Sequence, residues 1–352
     1  MNETSIALIE KLTLLGAPSG FEQPVGDVIR DSLASVGSLT TDRIGNIICE
    51  IPGTNPQKPH ILLAAHQDEI GFMVSEVLEN GFLRFVPIGG WNTITLPSSP
   101  VEVLTVNKEK VPGIIGQLSP HFSKKGAPPQ VPELEALFID IGAASKEEVE
   151  SVFTIRPGCL VLPVTNFRYI SQSNSLMSKA FDDRAGVAAL IELGKRLVKY
   201  PIEATVSLAF TVQEEVGTRG AKVLANTITS DAVIVVEGAP ADDIPGGPVH
   251  PQTCVGKGVH VRVFDPTHIG HPKLLGLAKA VAKKDSIPIQ EAIRKGGGTD
   301  AMVLALADCG IPSIVTGVPV RYAHSHNCLI SLSDYHNLIA LLYALCRDMD
   351  QF

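Results

Sequence analysis

An apolar run that ends in two adjacent acids is the feature that most constrains this chain. Residues 204–212 are mostly apolar, include several β-branched side chains, and contain no Gly or Pro, which predicts a buried strand. Glu214, Glu215 and Gly217 follow it. Side chains of a strand alternate between faces, so both acids serve one site only at a bend, which Gly217 permits. Taken alone, such a pair more often marks a solvated turn. At the carboxyl end of a central strand, however, one acid can bind a metal while the other moves a proton.

Length and composition exclude several protein classes. The 352 residues are enough for two domains, and 45% hydrophobic residues allow a sizeable core. A net charge of -8, with no basic run interleaved with aromatics, argues against nucleic-acid binding. No stretch reaches the roughly 18 apolar residues of a membrane span, and the N-terminus lacks a signal peptide's basic region. The six scattered cysteines predict free thiols, so we expect a cytoplasmic protein.

The periodicity of the sequence changes twice along the chain. Residues 1–69 and 165–352 alternate amphipathic helices with apolar strands, which predicts an α/β domain whose mainly parallel sheet is covered by helices on both faces. Residues 70–164 show short alternating segments, which predict an inserted β-rich domain with an exposed loop at 124–129. The main predicted helices are 4–15, 25–36, 184–198, 272–283, 300–308 (capped by Thr299) and 333–348, and the main predicted strands of the α/β part are 46–51, 61–65, 204–212, 232–236, 259–264 and 313–318.

Acids and histidines also follow other strand ends and turns. Carboxylate and imidazole groups without cysteine suit zinc, cobalt or manganese. Asp68 lies two residues after His66 and can accept the distal N–H of that histidine. Each group also has an ordinary alternative as a cap, an ion pair, a surface turn or a core histidine. The candidates are His66, Asp68, Asp182, Asp183, Arg184, Glu237, His324 and His326.

Several motifs together are more specific than any one of these residues. In order and in spacing they resemble the TET-type di-metal aminopeptidases, the glutamyl and deblocking aminopeptidase family, some members of which carry an endoglucanase label. The resemblance covers about residues 10 to 345. Its motifs are Gly16-Ala17-Pro18-Ser19-Gly20-Phe21-Glu22, His66-Gln67-Asp68-Glu69-Ile70-Gly71, Ile88-Gly89-Gly90-Trp91, Phe138-Ile139-Asp140-Ile141-Gly142-Ala143, Ala180-Phe181-Asp182-Asp183-Arg184, Glu214-Glu215-Val216-Gly217-Thr218-Arg219-Gly220, Gly297-Gly298-Thr299-Asp300-Ala301 and Arg321-Tyr322-Ala323-His324-Ser325.

The resemblance implies a site for two divalent metal ions, zinc or cobalt, in an enzyme that removes N-terminal residues from short peptides. Glu214 would be the general base for a water shared by the metals, and Asp68 would support His66. The 182–183 peptide bond would be cis, residues 70–164 would be a PDZ-like domain, and the chain would assemble into a homo-oligomer, the family's hollow tetrahedral dodecamer. The implied metal ligands are Asp182 as the bridge, His66 and Glu237 for one ion, and Glu215 and His324 for the other.

The chain departs from the family pattern at two positions. Glu237 stands where the family usually has Asp, and His326 where it usually has Pro. Because of Glu237, an alternative function remains open, that of a di-metal deacylase or carboxypeptidase acting on N-acyl amino acids or peptides. A non-catalytic assembly module and a glycosidase are further alternatives, although a glycosidase would leave the histidines without a role. Candidate cations for an acidic N-terminal side chain of the substrate are Lys257, Arg294, Lys295 and Arg321.

Overall fold

Strands and helices alternate through most of the chain. The computed structural model describes residues 2–119, 121 and 131–349. In chain order the strands are β1 (Ser38–Thr41), β2 (Ile47–Ile51), β3 (His60–His66), β4 (Gly71–Val77), β5 (Leu83–Ile88), β6 (Pro100–Leu104), β7 (Lys110–Gly116), β8 (Phe138–Asp140), β9 (Leu160–Pro163), β10 (Arg168–Ile170), β11 (Ser175–Ser178), β12 (Thr205–Thr211), β13 (Ala232–Pro240), β14 (Val259–Asp265), β15 (His268–Ile269), β16 (Ile289–Ile293), β17 (Ser313–Val320) and β18 (Cys328–Ser331). The helices are α1 (Asn2–Leu14), α2 (Gln23–Leu33), α3 (Lys146–Ser151), α4 (Phe181–Lys199), α5 (Arg219–Leu224), α6 (Pro272–Lys284), α7 (Ala301–Leu304) and α8 (Leu332–Arg347).

Nine of these strands form one mixed sheet. Its order is β1-β2-β12-β3-β13-β17-β14-β15, with β16 beside β14. The central strands β12, β3, β13 and β17 are parallel to their neighbours, whereas β2 and β14 join this centre antiparallel. The mainly parallel sheet predicted from the sequence is therefore confirmed at the centre. The carboxyl ends of the four parallel strands share one edge, which is where such sheets carry their sites.

The central strands are apolar on both faces because helices cover both. Along β3, Ile61 and Leu63 belong to one core and Leu62 and Ala64 to the other, as the two-residue period of a strand requires. The first core includes side chains of α1, α2, α4, α6 and α8, and the second includes side chains of α5 and α7. Gly194 of α4 lies against Leu208 and Leu33, which agrees with the close packing that its position on the apolar face suggests.

A separate antiparallel barrel lies within residues 70–164. Its closed strand order is β4-β5-β8-β7-β6-β9. It encloses its own core, in which Phe72 stacks on Trp91 with ring centroids 4.5 Å apart. The loop predicted at 124–129 lies outside the described residues. A third, small sheet has the order β10-β11-β18.

Two predicted elements have different bounds in the structure, and some strands were not predicted. The helix expected at 300–308 is the short Ala301–Leu304, although Thr299 Oγ1 accepts the amide of Ala301 at 3.2 Å, close to the cap expected there. The strand expected at 232–236 continues to Pro240, so Glu237 lies inside it. β1 and β16 were missed, because both are short and largely exposed and so lack an apolar run.

Two expectations about chemistry and topology can also be compared with the structure. The six cysteines are all free, as expected. Within the described ranges, none of the helices has both the length and the apolar character needed to cross a bilayer.

Candidate metal centre

The implied metal ligands converge at the carboxyl edge of the parallel strands. The sheet places them there because parallel neighbours in register end together: Thr211, the last residue of β12, pairs with His66, the last residue of β3. The other positions come from the ends of adjacent elements. His66 ends β3, Glu215 follows β12, Glu237 lies in β13, Asp182 lies at the start of α4, and His324 follows β17.

One cluster contains His66, Asp182 and Glu237. His66 Nε2 lies 3.2 Å from Asp182 Oδ1 and 3.7 Å from Glu237 Oε2. One donor atom from each of the three residues falls within 4.8 Å of the others. The additional methylene of Glu237, compared with the usual Asp, therefore does not remove its carboxylate from this cluster.

A second cluster contains Asp182, Glu215 and His324. His324 Nε2 lies 3.5 Å from Asp182 Oδ2 and 3.3 Å from Glu215 Oε1. These three donors also lie within 4.8 Å of one another. Asp182 thus presents one carboxylate oxygen to each cluster, which is the arrangement of a bridging ligand.

The start of α4 has an irregular backbone that presents Asp182. The 182–183 peptide bond is cis, as expected, and both residues have non-helical φ/ψ values. Asp183 Oδ1 accepts the amide of Gly186 at 3.1 Å, and Asp183 Oδ2 accepts the amide of His66 at 3.2 Å. Asp183 is therefore a helix cap, as expected for a cap or ion-pair residue, and it also fixes the backbone of His66. Gly238 lets β13 approach, because a Cβ there would lie 2.5 Å from Asp182 Cα.

Asp68 contacts the turn at Glu214 and Glu215 more closely than it contacts His66. Its Oδ1 lies 3.5 Å from His66 Nδ1, at the limit of a hydrogen bond. The same carboxylate accepts the amides of Glu214 and Glu215 at 3.0 and 3.1 Å, and the hydroxyl of Ser19 at 2.6 Å. Its burial is complete, at 0% exposure. Asp68 therefore positions the backbone of both Glu214, the expected general base, and Glu215, an expected ligand.

The clusters concentrate negative charge in a buried place. Burial raises the pKa of Glu214 well above its usual value, and the carboxylates of Glu237 and Glu215 raise it further. Burial also raises the pKa values of Glu215 and Glu237. Burial opposes the charge on His324, but Asp182 and Glu215 outweigh it and raise the pKa of that imidazole to about 11. This electrostatic environment favours a bound cation.

A buried ion-pair network supports one wall of this site. Lys179 Nζ donates to Glu69 Oε2 at 2.5 Å, and both side chains are at most 4% exposed. Arg184 pairs with an acid, as expected, because its guanidinium lies 3.6 Å from Glu69. It also donates to the carbonyls of Leu12 and Ala17 at 2.8 and 3.1 Å, so this buried arginine anchors the end of α1 to the site.

His326 and the candidate cations lie outside both clusters. His326 is 4% exposed and packs on Trp91, with ring centroids 5.2 Å apart. It is therefore a buried histidine that packs against the inserted barrel. Arg294 pairs with Asp242 at 3.0 Å and Arg321 with Asp243 at 2.5 Å, whereas the side chains of Lys257 and Lys295 are exposed.

The structure also shows roles that sequence reasoning did not assign. Asn46 Oδ1 accepts the amide of Val212 at 3.0 Å. Glu22 accepts the amide of Gln213 at 3.0 Å. Asp300, 2% exposed, accepts the hydroxyl of Thr211 at 2.6 Å, and its burial raises its pKa to about 6. Two of these residues lie in motifs that carry the family resemblance, but a motif does not show which backbone group each side chain reaches.

Comparisons with known proteins show the family of this chain. The family model described as M42 glutamyl aminopeptidase matches residues 45–341. The glutamyl aminopeptidase of Lactococcus lactis is 33% identical over 97% of this chain and 96% of its own length. The lysyl aminopeptidase of Pyrococcus furiosus is 32% identical over 97% of this chain and 96% of its own.

Solved structures share the fold. A TET aminopeptidase from a Thaumarchaeota archaeon superposes with a TM-score of 0.94 and 35% identity, covering 99% of this chain and 97% of that one. The Pyrococcus horikoshii TET1 peptidase, described as assembling into a tetrahedron or a large octahedral shell, gives a TM-score of 0.85 and 32% identity over 97% and 99% of the two chains. Some structural neighbours carry an endoglucanase label. The chain belongs to the M42 aminopeptidase family, whose members are hydrolases that act on peptide bonds.

Proposed function

We propose that this M42 peptidase is a metalloaminopeptidase that removes N-terminal residues from short peptides with two divalent ions, zinc or cobalt. The observation that carries the proposal is the division of Asp182 between two clusters: its Oδ1 lies 3.2 Å from His66 Nε2 and its Oδ2 lies 3.5 Å from His324 Nε2. A carboxylate with a purely structural role needs only one histidine partner. A bridging ligand must present each of its two oxygens to a different metal ion.

The donor chemistry fits these ions. Both clusters consist of imidazole nitrogens and carboxylate oxygens, the ligands of catalytic zinc and cobalt sites. His66 and Glu237 would hold one ion, Glu215 and His324 the other, and Asp182 both. The ion pairs of these carboxylates are with the two histidines themselves, so the described site has surplus negative charge that divalent ions would neutralise. When bound, the ions would polarise the scissile carbonyl and make a water more acidic.

Glu214 is the proposed general base. It lies beside the clusters but belongs to neither, so its carboxylate is free to exchange a proton. Its raised pKa, caused by burial and by neighbouring acids, suits a group that takes a proton near neutral pH. Glu214 would remove a proton from the attacking water and return it to the leaving amine. Asp68 would keep this turn in place through its two amide contacts.

The domain organisation and assembly follow as part of the same proposal. We propose that residues 1–69 and 165–352 form the catalytic domain and that 70–164 form the family's inserted PDZ-like domain. We also propose a homo-oligomer, the family's tetrahedral dodecamer, which is supported by the assembly described for the TET1 relative. It is also supported by exposed apolar side chains on the three neighbouring strands β14, β15 and β16 at one end of the sheet, Phe264, Ile269 and Ile293. Free thiols support a reducing, cytoplasmic location.

One experiment separates this proposal from its alternative. Purified protein is stripped with a chelator, reloaded with zinc or cobalt, and assayed on leucyl, glutamyl and lysyl anilides, an N-acetylated peptide and an acyl amino acid. We expect metal-dependent cleavage of free-amine substrates only. Because Arg294 and Arg321 are already paired with acids, we do not expect a strong preference for glutamyl over leucyl substrates. Turnover of only the blocked substrates would instead establish the deacylase or carboxypeptidase that Glu237 keeps open.

A further inference from the structure

Backbone amides of the turn that carries the proposed general base are hydrogen-bonded to side chains from elsewhere in the chain. Four consecutive main-chain N–H groups donate to side-chain oxygens from the first 70 residues, each over 3.0–3.1 Å. A turn in solution would leave such donors to water, so this arrangement fixes the backbone direction residue by residue. The pairs are Val212 with Asn46 Oδ1, Gln213 with Glu22 Oε1, Glu214 with Asp68 Oδ1, and Glu215 with Asp68 Oδ2.

The contact of Glu22 falls on the strained residue of this turn. Gln213 has a φ of +56°, in the left-handed region that residues other than glycine rarely adopt. This conformation turns the chain sharply just before Glu214. A neighbouring carboxylate that accepts the Gln213 amide stabilises the conformation, as backbone amides around a left-handed residue bind anions.

Glu22 reaches this amide instead of capping its own helix. It occupies the N-cap position of α2, yet its side chain makes no capping hydrogen bond there. Its Oε1 accepts the amides of Gly20 at 2.7 Å and of Gln213 at 3.0 Å, the latter 191 positions away in the sequence. The residue is 7% exposed. The carboxylate therefore points away from the first amides of α2 and toward the loop before the helix and the distant Gln213.

Glu22 also lies apart from the metal clusters. It lines a cavity of about 740 Å³ between the N-terminal loop and the barrel, together with Phe21, Gln67 and Val212. That lining contains none of the proposed ligands, nor Asp68 or Glu214. The hydrogen bond of Glu22 to the turn is to the Gln213 backbone amide. Burial raises the pKa of Glu22, and the Asp68 carboxylate is near enough to raise it further.

We propose that Glu22 is a positioning residue of the reaction, which holds Gln213 in its left-handed conformation and so directs Glu214. The inference rests on the proposed function, because it assigns Glu22 to the general base of that reaction. It implies a loss that appears in the chemical step and leaves metal content unchanged, since Asp68 still holds the Glu215 amide.

The test compares three variants. Glu22→Ala removes the acceptor, and we expect kcat to fall about 10- to 100-fold, with KM and two bound metals per chain retained. Glu22→Gln keeps a carbonyl oxygen at the same place, and we expect kcat within about threefold of the parent. Ser145→Ala removes an ordinary helix cap in the barrel, where Ser145 Oγ accepts the Glu148 amide at 3.3 Å, and should lower Tm without changing kcat.

The pH profile gives a readout that a purely structural role would not change. If Glu214 is misdirected in Glu22→Ala, the acidic limb of the pH profile of kcat/KM shifts. In Ser145→Ala this limb keeps the position it has in the parent enzyme. Should Glu22→Ala not fold, Glu22→Asp tests the same contact, because a side chain shorter by one methylene cannot span to Gln213.

Two outcomes would overturn the inference. One is a Glu22→Ala enzyme with the parent's kcat and acidic limb; the other is a Glu22→Gln enzyme as slow as Glu22→Ala. Glu214→Gln is measured in parallel to separate the two proposals. If Glu214→Gln stays active, the proposed function fails, whereas an inactive Glu214→Gln beside an active Glu22→Ala removes only the role of Glu22.

Discussion

Replacing Gly238 with alanine tests whether the metal clusters depend on the close approach of β13 to Asp182. A Cβ at this position would lie 2.5 Å from Asp182 Cα and 2.8 Å from both its Cβ and its backbone N. These atoms belong to the backbone or its first side-chain carbon, so no rotamer change relieves the contact. Raising the nearest distance from 2.5 Å to the 3.4 Å of an ordinary contact requires a shift of about 0.9 Å.

A shift of this size acts on two proposed ligands at once. Gly238 follows Glu237 directly, so any movement of β13 displaces Glu237, and any movement of α4 displaces the bridging Asp182. Misplacement of reacting groups by about 1 Å can cost about 100-fold in rate. We therefore expect kcat/KM to fall about 100-fold, zinc affinity to fall at least about tenfold, and the free energy of unfolding to drop by about 1–3 kcal/mol.

The assay pairs anilide turnover with zinc titration of the stripped protein and with urea unfolding. Gly276→Ala in α6 is the matched control, because a Cβ there meets nothing within 4 Å. It should raise the unfolding free energy by about 0.5–1 kcal/mol and leave turnover unchanged. A folded Gly238→Ala enzyme that binds two zinc ions with the parent's affinity and turns over within about threefold would refute the reasoning.

Three further predictions follow from the same contacts. Glu214→Gln should retain two metals per chain by elemental analysis but lose about 10²–10⁴-fold in kcat, and near-normal turnover would remove Glu214 from its role. Lys179→Met removes the nearer cation of buried Glu69 and its charged hydrogen bond, while the Arg184 guanidinium remains 3.6 Å away, so the variant should lose about 1.5–3 kcal/mol of stability in urea. Lys146→Met breaks an exposed pair and should change stability by less than about 1 kcal/mol, and equal losses would contradict this. Asp182 and Glu215 raise the pKa of His324 to about 11, so its imidazole is protonated at neutral pH in the metal-free protein. Metal binding should therefore release protons, and the apparent metal affinity should rise with pH. A binding heat, measured by calorimetry, that does not depend on the ionisation enthalpy of the buffer would contradict this.

The secondary structure was predictable where burial imposes a period on the sequence. The buried strand at β12 and the amphipathic helix α4 were predicted close to their observed bounds. The prediction was wrong where burial comes from the fold instead. β1 and β16 have largely exposed side chains and owe their strand conformation to pairing with β2 and β14. The extension of β13 through Glu237 likewise comes from eight paired positions along β17.

The ligand set was accessible from the sequence because chemistry restricts it. Imidazoles and carboxylates at strand ends, correctly spaced over several motifs, point to a di-metal peptidase before any contact is known. What the sequence alone could not show is which oxygen of Asp182 faces which histidine, or that Arg184 pairs with the distant Glu69 and also holds the end of α1. Those are distances between residues that lie far apart in the chain.

The sequence by itself determined the family, the parallel centre of the sheet and the residue types available for a metal site. The spacing of apolar residues and the chemistry of each side chain are local properties, so they can be read directly from the sequence. The tertiary structure alone decided that side chains from the first 70 residues hold four successive amides of the base-bearing turn. These contacts join residues that are 146 to 191 positions apart in the sequence, and they form only when the chain folds. No local sequence pattern therefore predicts them.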